Sequence, residues 1–354
     1  MIYFDATKTG SAGHRSGLTR VSHLLRQHLG AAATEVTWTR GELVASGGKK
    51  LPPLTRDDWF LTSELFSEEE RPGFSDFLSS PSRACRLAAI YHDAIPLKHP
   101  HITWPQSVAR HPIYLKLLAR FDHVWAVSRA SREELIGFWD WQGVEQAPAV
   151  ETLALGADFD GAPRVARARM DRTVASRPQL LCLGIIEPRK NQSMLLEACD
   201  QLWRERLDFE LHLVGRVNPH FGPPIVARLK MLRREHKGRL ELHEAASDAT
   251  VANLYRSARA TIFPTIAEGC GLPLLESLWR GVPCVCSDLP VLRENADGGG
   301  CLTVGVSDFE AWKTTLRKIV TDDALQARLT EEAGTRPLPT WREAAETLRQ
   351  RLTE

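Results

Sequence analysis

No stretch of this sequence stays apolar and uncharged for the roughly 18 residues that a membrane-spanning helix needs. Its start, MIYFDATKTG, has neither the basic region nor the apolar core of a secretory leader, so an unsecreted, soluble protein of the cytoplasm is expected. A surplus of either charge is missing too. With 45 Lys+Arg against 44 Asp+Glu, the chain lacks the basic excess of a nucleic-acid binder, and no nucleic-acid partner is expected. Cysteine is sparse and odd in number, at seven, with no Cys-x-x-Cys, which excludes a zinc ribbon and a disulfide framework. The one close pair, Cys284 and Cys286, shares a strand face and reads as two small buried hydrophobes. Internal repeats and low-complexity tracts are absent, as are a Walker A loop, a Gly-x-Ser-x-Gly elbow and the dinucleotide Gly-x-Gly-x-x-Gly. These absences disfavour solenoids, P-loop NTPases, α/β-hydrolases and nicotinamide dehydrogenases.

What is present is globular: 354 residues, 43% hydrophobic and 25% charged, enough for about two domains at roughly 150 residues each. In the carboxy-terminal half, short apolar runs alternate with helical patterns. QLLCLG, FELHLVG, RLELHE, ATIFP and PCVCS read as strands, and NQSMLLEACDQLWRE, PPIVARLKMLRREH, DATVANLYRS, GLPLLESLWRG and SDFEAWKTTLRKIV as helices. Such alternation predicts a parallel sheet covered by helices. The amino-terminal half repeats the pattern less clearly, with strands MIYFD, EVTW, DWFLT, RLAAIYHD and HVWAVS and helices LTRVSHLLRQHL, SVARHPIYLKLLARF and ASREELIGFW. Periodicity lapses over residues 156–178, an arginine-bearing stretch that reads as the approach to a linker. Two α/β domains, 1–165 and 175–335, are predicted, with a last amphipathic helix over 340–354 that could dock on either domain, packing back on the first being one reading.

Three constellations carry candidate chemistry. After strand ATIFP comes Glu268-Gly269-Cys270-Gly271-Leu272-Pro273-Leu274-Leu275-Glu276, where Pro273 suits a first helical turn. Glu268 then lies in the loop and Glu276 just inside the helix, while the glycines let backbone amides approach an anion at the helix start. The plainer alternative is a turn whose Glu276 complements the helix dipole. Gly184 to Asn191 follows strand QLLCLG, and its Arg189 and Lys190, at the carboxyl end of a parallel strand, are placed to clamp a diphosphate. His92-Asp93, directly after RLAAIY, is either catalytic or satisfies its own loop. A glycine-bearing loop, Gly10, Gly13 and Gly17 with Ser16 and Arg20, follows the first strand.

In this order the segments resemble glycosyltransferase family 4 over nearly the whole chain. Glu268 to Glu276 resembles the family's Glu-x7-Glu motif, and Gly184 to Asn191 its basic diphosphate loop. His92-Asp93 with Pro96 resembles H-D-x-x-P, Val127 to Ser131 resembles V-S-x-x-S, and Ser287 to Glu294 resembles S-D-x-P-x-x-R-E. The resemblance implies the GT-B fold, two facing Rossmann-like domains with an interdomain cleft, and transfer with retention from a nucleotide-diphosphate sugar. It is similar to members that build bacterial surface polysaccharide, with mannose ranked first.

Carried over, the resemblance implies that Arg189 and Lys190 neutralise the donor diphosphate and Glu276 holds the ribose. Glu268, with the amides of Gly269, Cys270, Gly271 and Leu272, would hold the transferred sugar, which His92 reaches from the other domain. Gly17 would sit beneath the phosphates. No metal and no cofactor are expected, because fixed cations and helix amides stabilise the leaving diphosphate. The acceptor is a glycan or lipid-linked, with peripheral contact on the inner face of the cell membrane as one reading of the cationic, apolar helices LTRVSHLLRQHL and SVARHPIYLKLLARF. Packing against the core is the other. Two departures stand out: Cys270 replaces a more usual aromatic, and Thr19 replaces a glycine after Ser16-Gly17-Leu18, which matters if that position needs a positive φ. A sugar-nucleotide epimerase and a non-catalytic nucleotide-sugar-binding protein are the competing readings.

Overall fold

A computed structural model describes residues 1–11, 17–81, 83–158, 164 and 177–353. The chain divides into two compact units, Met1–Gly156 with Pro339–Glu354, and Ala157–Leu338.

The first unit holds an eight-stranded sheet: β1 (Ile2–Asp5), β2 (Ala33–Thr39), β3 (Glu42–Ala45), β4 (Lys49–Lys50), β5 (Trp59–Thr62), β6 (Arg86–Tyr91), β7 (His123–Ala126) and β8 (Ala149–Thr152), in the order β4-β3-β2-β1-β5-β6-β7-β8. From β2 to β8 the pairs are parallel, while β3 and β4 extend the edge as an antiparallel hairpin. Strands β1, β5 and β6 are nearly continuous apolar runs because helices cover both faces of a parallel sheet. Those helices are α1 (Gly17–Leu29), α2 (Phe74–Ser79), α3 (Ile95–Lys98), α4 (Pro105–Leu118) and α5 (Arg129–Trp141). Val21, Leu25 and Leu29 of α1 and Tyr114, Leu115 and Leu118 of α4 are buried, so both cationic helices turn their main apolar faces inward. Trp104 and Ile113, at and within α4, remain exposed.

The second unit is a six-stranded, all-parallel sheet: β9 (Gln179–Leu183), β10 (Glu210–Val214), β11 (Leu240–His243), β12 (Ala258–Phe263), β13 (Cys284–Ser287) and β14 (Cys301–Val304). Its helices are α6 (Gln192–Arg204), α7 (Pro223–Glu235), α8 (Asp248–Ser257), α9 (Leu272–Trp279), α10 (Pro290–Ala296), α11 (Phe309–Thr321) and α12 (Asp323–Thr335). The order β11-β10-β9-β12-β13-β14 is the Rossmann order 3-2-1-4-5-6, and its direction of winding reverses between β9 and β12. That reversal separates the loops beyond the carboxyl ends of β9 and β12, which leaves a crevice between them for a ligand.

The last helix, α13 (Trp341–Thr353), belongs to the first unit and packs on α1. Its Trp341 is fully buried, and a Cβ at Gly156 would lie 2.2 Å from the Trp341 backbone nitrogen. Only glycine admits so close an approach. Cys284, Cys286 and the other five cysteines are free, and those two are buried in β13 as small hydrophobes.

Candidate functional site

In the second unit the site starts where β9 ends. A 3-10 turn over Pro188–Lys190 carries both cations, and Asn191, with φ of 55°, takes the left-handed conformation that opens α6. Asparagine tolerates that geometry better than most residues. From β12 the chain runs through Pro264 and Thr265 to Glu268, then through Gly271 at φ 81° into α9. A Cβ at Gly271 would meet Leu292 of α10 at 2.5 Å, so glycine is required by both conformation and space. Asn295 of α10 donates to the Cys270 carbonyl at 2.5 Å and fixes the loop from behind.

Because β9 and β12 are neighbours, these two loops meet. The Ile266 amide donates to the Arg189 carbonyl at 2.9 Å, and the Thr265 hydroxyl oxygen lies 3.0 Å from the same carbonyl. Glu268 is held through one oxygen: its Oε1 receives Lys190 Nζ, Arg189 Nη1 at 3.2 Å and Thr265 Oγ1 at 2.8 Å. Among the described residues nothing donates to Oε2, which is left to accept a bond from a ligand. Arg189 also spans to Glu187, whose other oxygen takes Asn218 Nδ2 at 3.0 Å. Lys190 lies 5.0 Å from the centre of the Phe263 ring, its stem buried.

Electrostatics follow from this geometry. Burial alone would raise the Glu268 carboxyl, but Lys190 and Arg189, with hydrogen bonds from Lys190 and Thr265, hold it below the ordinary carboxylate value. Burial lowers the Lys190 ammonium, with Glu268 opposing and Arg189 reinforcing that shift. Cys270 is pushed up to about 12 by burial and then by Glu268 and Glu294, so it stands here as a neutral thiol. Two carboxylates, Glu187 and Glu268, balance the two cations.

Glu276 is the fifth residue of α9 and buried, with Arg280 one turn on at 3.7 Å. It stands just past the first turn, where the pull of the helix dipole has fallen off. No side chain caps α9; the Leu274 and Leu275 amides both donate to the Gly271 carbonyl, at 3.0 and 3.3 Å.

The remaining expectations fall in the first unit. His92 follows β6, and its Nε2 lies 2.8 Å from the Ser63 carbonyl. Asp93 serves its own loop, accepting the Ile95 amide at 3.0 Å, while its carbonyl takes the buried His111. The V-S-x-x-S segment has a local reason: Ser128 caps α5 through the Ser131 amide, and Ser131 Oγ donates to the His92 carbonyl at 2.7 Å. In the second unit the S-D-x-P-x-x-R-E stretch is likewise local, with Pro290 opening α10 and Arg293 paired to Asp288 at 2.7 Å.

Several expectations need correction. Thr19 sits inside α1 with an ordinary helical backbone, so its replacement of glycine brings no strain. Gly17 opens α1 in open space, and Gly13 and Ser16 lie outside the described residues. Of the described arginines in the lapsed stretch, Arg164 donates to the Ala333 and Arg336 carbonyls at the end of α12, and Arg177 pairs with Asp208 at 3.1 Å. The metal-free expectation also has to meet an Asp-x-Asp spacing, Asp158-Phe159-Asp160, of a kind that can serve a divalent cation; Phe159 and Asp160 lie outside the described residues. Glu187, Thr265 and Asn218 were missed, because they act through contacts made only when β9, β10 and β12 come side by side.

The comparisons with known proteins agree with this architecture. Residues 170–336 match the family described as glycosyl transferases group 1. The serotype-specific mannosyltransferase WbdA of Escherichia coli is 32% identical over 324 residues, 84% of this chain and 39% of the relative. Phosphatidyl-myo-inositol mannosyltransferase of Mycolicibacterium smegmatis is 32% identical over 234 residues, 65% of this chain and 55% of the relative. The chain thus spans about two-fifths of the length of WbdA. Among solved structures, sucrose-phosphate synthase from Thermosynechococcus elongatus superposes with a TM-score of 0.71 at 17% identity, over 99% of this chain and 97% of that one. A trehalose-phosphate synthase from Burkholderia xenovorans gives 0.62 at 13% identity, over 85% of this chain and 75% of that one. The second unit, over residues 170–336, thus belongs to the group 1 glycosyl transferases, family 4, and the two parallel-sheet units have the GT-B fold.

Proposed function

We propose that this chain is a retaining hexosyltransferase that moves mannose from a nucleotide-diphosphate sugar, GDP-mannose ranked first, to a glycan or lipid-linked acceptor of bacterial surface polysaccharide. The observation that carries the reading is the Glu268 carboxylate, clamped through Oε1 by Lys190, Arg189 and Thr265 and open at Oε2. A carboxylate held this way is a rigid acceptor for sugar hydroxyls. Beside it, Arg189 and Lys190 are assigned to the departing diphosphate, together with the backbone amides of Gly269 to Leu272 at the entry to α9. Glu276 is assigned to the ribose hydroxyls, His92 to the transferred sugar, and Gly17 to the phosphate side of the first loop.

Fixed positive charge at the diphosphate serves the purpose that a divalent cation serves in other transferases, so the reaction is assigned as metal-independent. Mannose ranks first because the curated relatives include WbdA and the inositol mannosyltransferase, both named for it. Incubation with radiolabelled GDP-mannose and a mannan oligosaccharide, with and without EDTA, tests the proposal. Product of retained α-configuration, formed in EDTA, supports it. Epimerised donor without acceptor, or nucleotide binding without turnover, overturns it. Pelleting with anionic liposomes tests peripheral membrane contact, since no helix among the described residues is long and apolar enough to cross a membrane.

A further inference from the structure

In the first unit, three neighbouring strands, β1, β5 and β6, end side by side in a network that the proposed reaction does not yet use. Arg71 is fully buried between two carboxylates, donating to Asp5 Oδ2 at 2.6 Å and to Glu64 Oε2. Its guanidinium lies 5.1 Å from the centre of the Phe74 ring and 5.8 Å from that of Phe66. Asp5 ends β1 and Glu64 follows β5, so the triad staples the loops beyond these two strands. Glu64 does more than pair. Its Oε1 accepts the Lys8 amide at 3.0 Å, the Thr9 amide at 2.7 Å and the Thr9 hydroxyl at 2.7 Å, and its Oε2 accepts the Lys8 amide at 2.9 Å. Thr9 in turn touches Ser22 of α1 at 2.9 Å.

The residue before Glu64 holds His92. A carbonyl oxygen only accepts, so the 2.8 Å contact from Ser63 requires that Nε2 carry the ring proton. A neutral imidazole so fixed has its lone pair on Nδ1, and burial favours the neutral form by lowering this histidine's pKa. We propose that Glu64 is a positioning residue: by anchoring the Ser63–Glu64 segment to the Lys8–Thr9 loop and to Arg71, it locks His92 in the Nε2–H tautomer. Nδ1 is then the nitrogen that accepts a hydroxyl of the bound sugar. The histidine therefore selects a hydroxyl donor at that point of the substrate and cannot protonate a leaving group from Nδ1. The inference rests on the assignment of His92 to the sugar, but the lock itself is a property of the free protein.

The test uses the full chain labelled with 15N-histidine, in wild type, E64Q and Thr9→Val, each checked for folding by circular dichroism. Long-range 1H–15N spectra, assigned by loss of the His92 signals in His92→Ala, report which ring nitrogen is protonated. The expected wild-type pattern is Nε2–H alone. In E64Q, which keeps an acceptor oxygen but offers Arg71 an amide, the two tautomers are expected to mix. With GDP-mannose as donor, kcat should fall on the order of tenfold while the donor KM stays within about twofold, as expected for a misplaced rather than a missing contact. Thr9→Val removes one loop contact without changing any charge, so it reads the same coupling should E64Q not fold, with a smaller shift expected. A wild-type Nδ1–H pattern, or an unchanged His92 pattern in a folded E64Q or Thr9→Val, overturns the inference. Absence of any transfer in wild type would sink the transferase reading instead, and the spectra would still decide the lock.

Discussion

Lys190 Nζ and Glu268 Oε1 form an ion pair across the carboxyl ends of β9 and β12, and Arg189 Nη1 joins the same oxygen at 3.2 Å. One carboxylate oxygen thus ties together two loops that are far apart in sequence. Both the cations meant for a diphosphate and the acceptor meant for a sugar depend on this contact. Glu268→Gln should therefore separate the two roles. Removing the negative charge frees Lys190 and Arg189 for an anion, so binding of GDP alone should hold or tighten. Transfer should fall by about 100-fold or more, the order of loss seen when a preorganised polar contact to the reacting group is removed. Calorimetric titration with GDP, set beside steady-state kinetics, checks both halves.

Lys190→Ala and Glu276→Ala should fail differently. Lys190 is assigned to the charge that grows as the diphosphate leaves, so its loss is expected to lower kcat more than donor affinity. Glu276 is assigned to ribose hydroxyls, which change little during the reaction, so its loss should raise the donor Kd by about 10-fold or more, the scale of losing a charged hydrogen bond. Donor titrations and turnover in each variant distinguish these outcomes.

The same clamp sets a pH dependence of stability. In the folded state the Glu268 carboxyl lies below its ordinary value of 4.5, so the folded chain binds fewer protons here than the unfolded chain. The stability it contributes is present above pH 4.5 and is lost as pH falls through the lower, folded value. Between those limits the wild type should lose melting temperature more steeply than Glu268→Gln, as thermal scans at stepped acid pH would register.

How much of this was legible depends on what each signal averages over. Strands β9, β10 and β12 and helices α6, α7 and α11 announce themselves, since long apolar periodicity survives any local detail. By contrast β4 is two exposed lysines, whose pairing is set by the hairpin partner, and β14 follows three glycines at positive φ. Neither shows the pattern of a strand. In the site, Arg189, Lys190 and Glu268 were readable because their loops follow clear strands. The fifth-residue position of Glu276 and the parts played by Glu187 and Thr265 were not, because they depend on where α9 begins and on which strands adjoin.

Anchoring of the last helix gives a stability prediction. Trp341 is fully buried and lies against Gly156, so Trp341→Ala should cost the first unit about 3–5 kcal/mol. Denaturant unfolding followed by circular dichroism would show the loss, and an unchanged midpoint would mean that α13 is dispensable.

The central claim, a nucleotide-sugar site at the carboxyl ends of β9 and β12, is tested most directly by thermal shift with GDP, UDP, TDP and ADP, each with and without Mg²⁺. A ligand that binds only the native state raises its melting temperature. The account predicts a shift with GDP that is the same in EDTA and is reduced in Glu276→Ala. No shift with any of the four, or a shift that needs Mg²⁺ or is undiminished in Glu276→Ala, would contradict it.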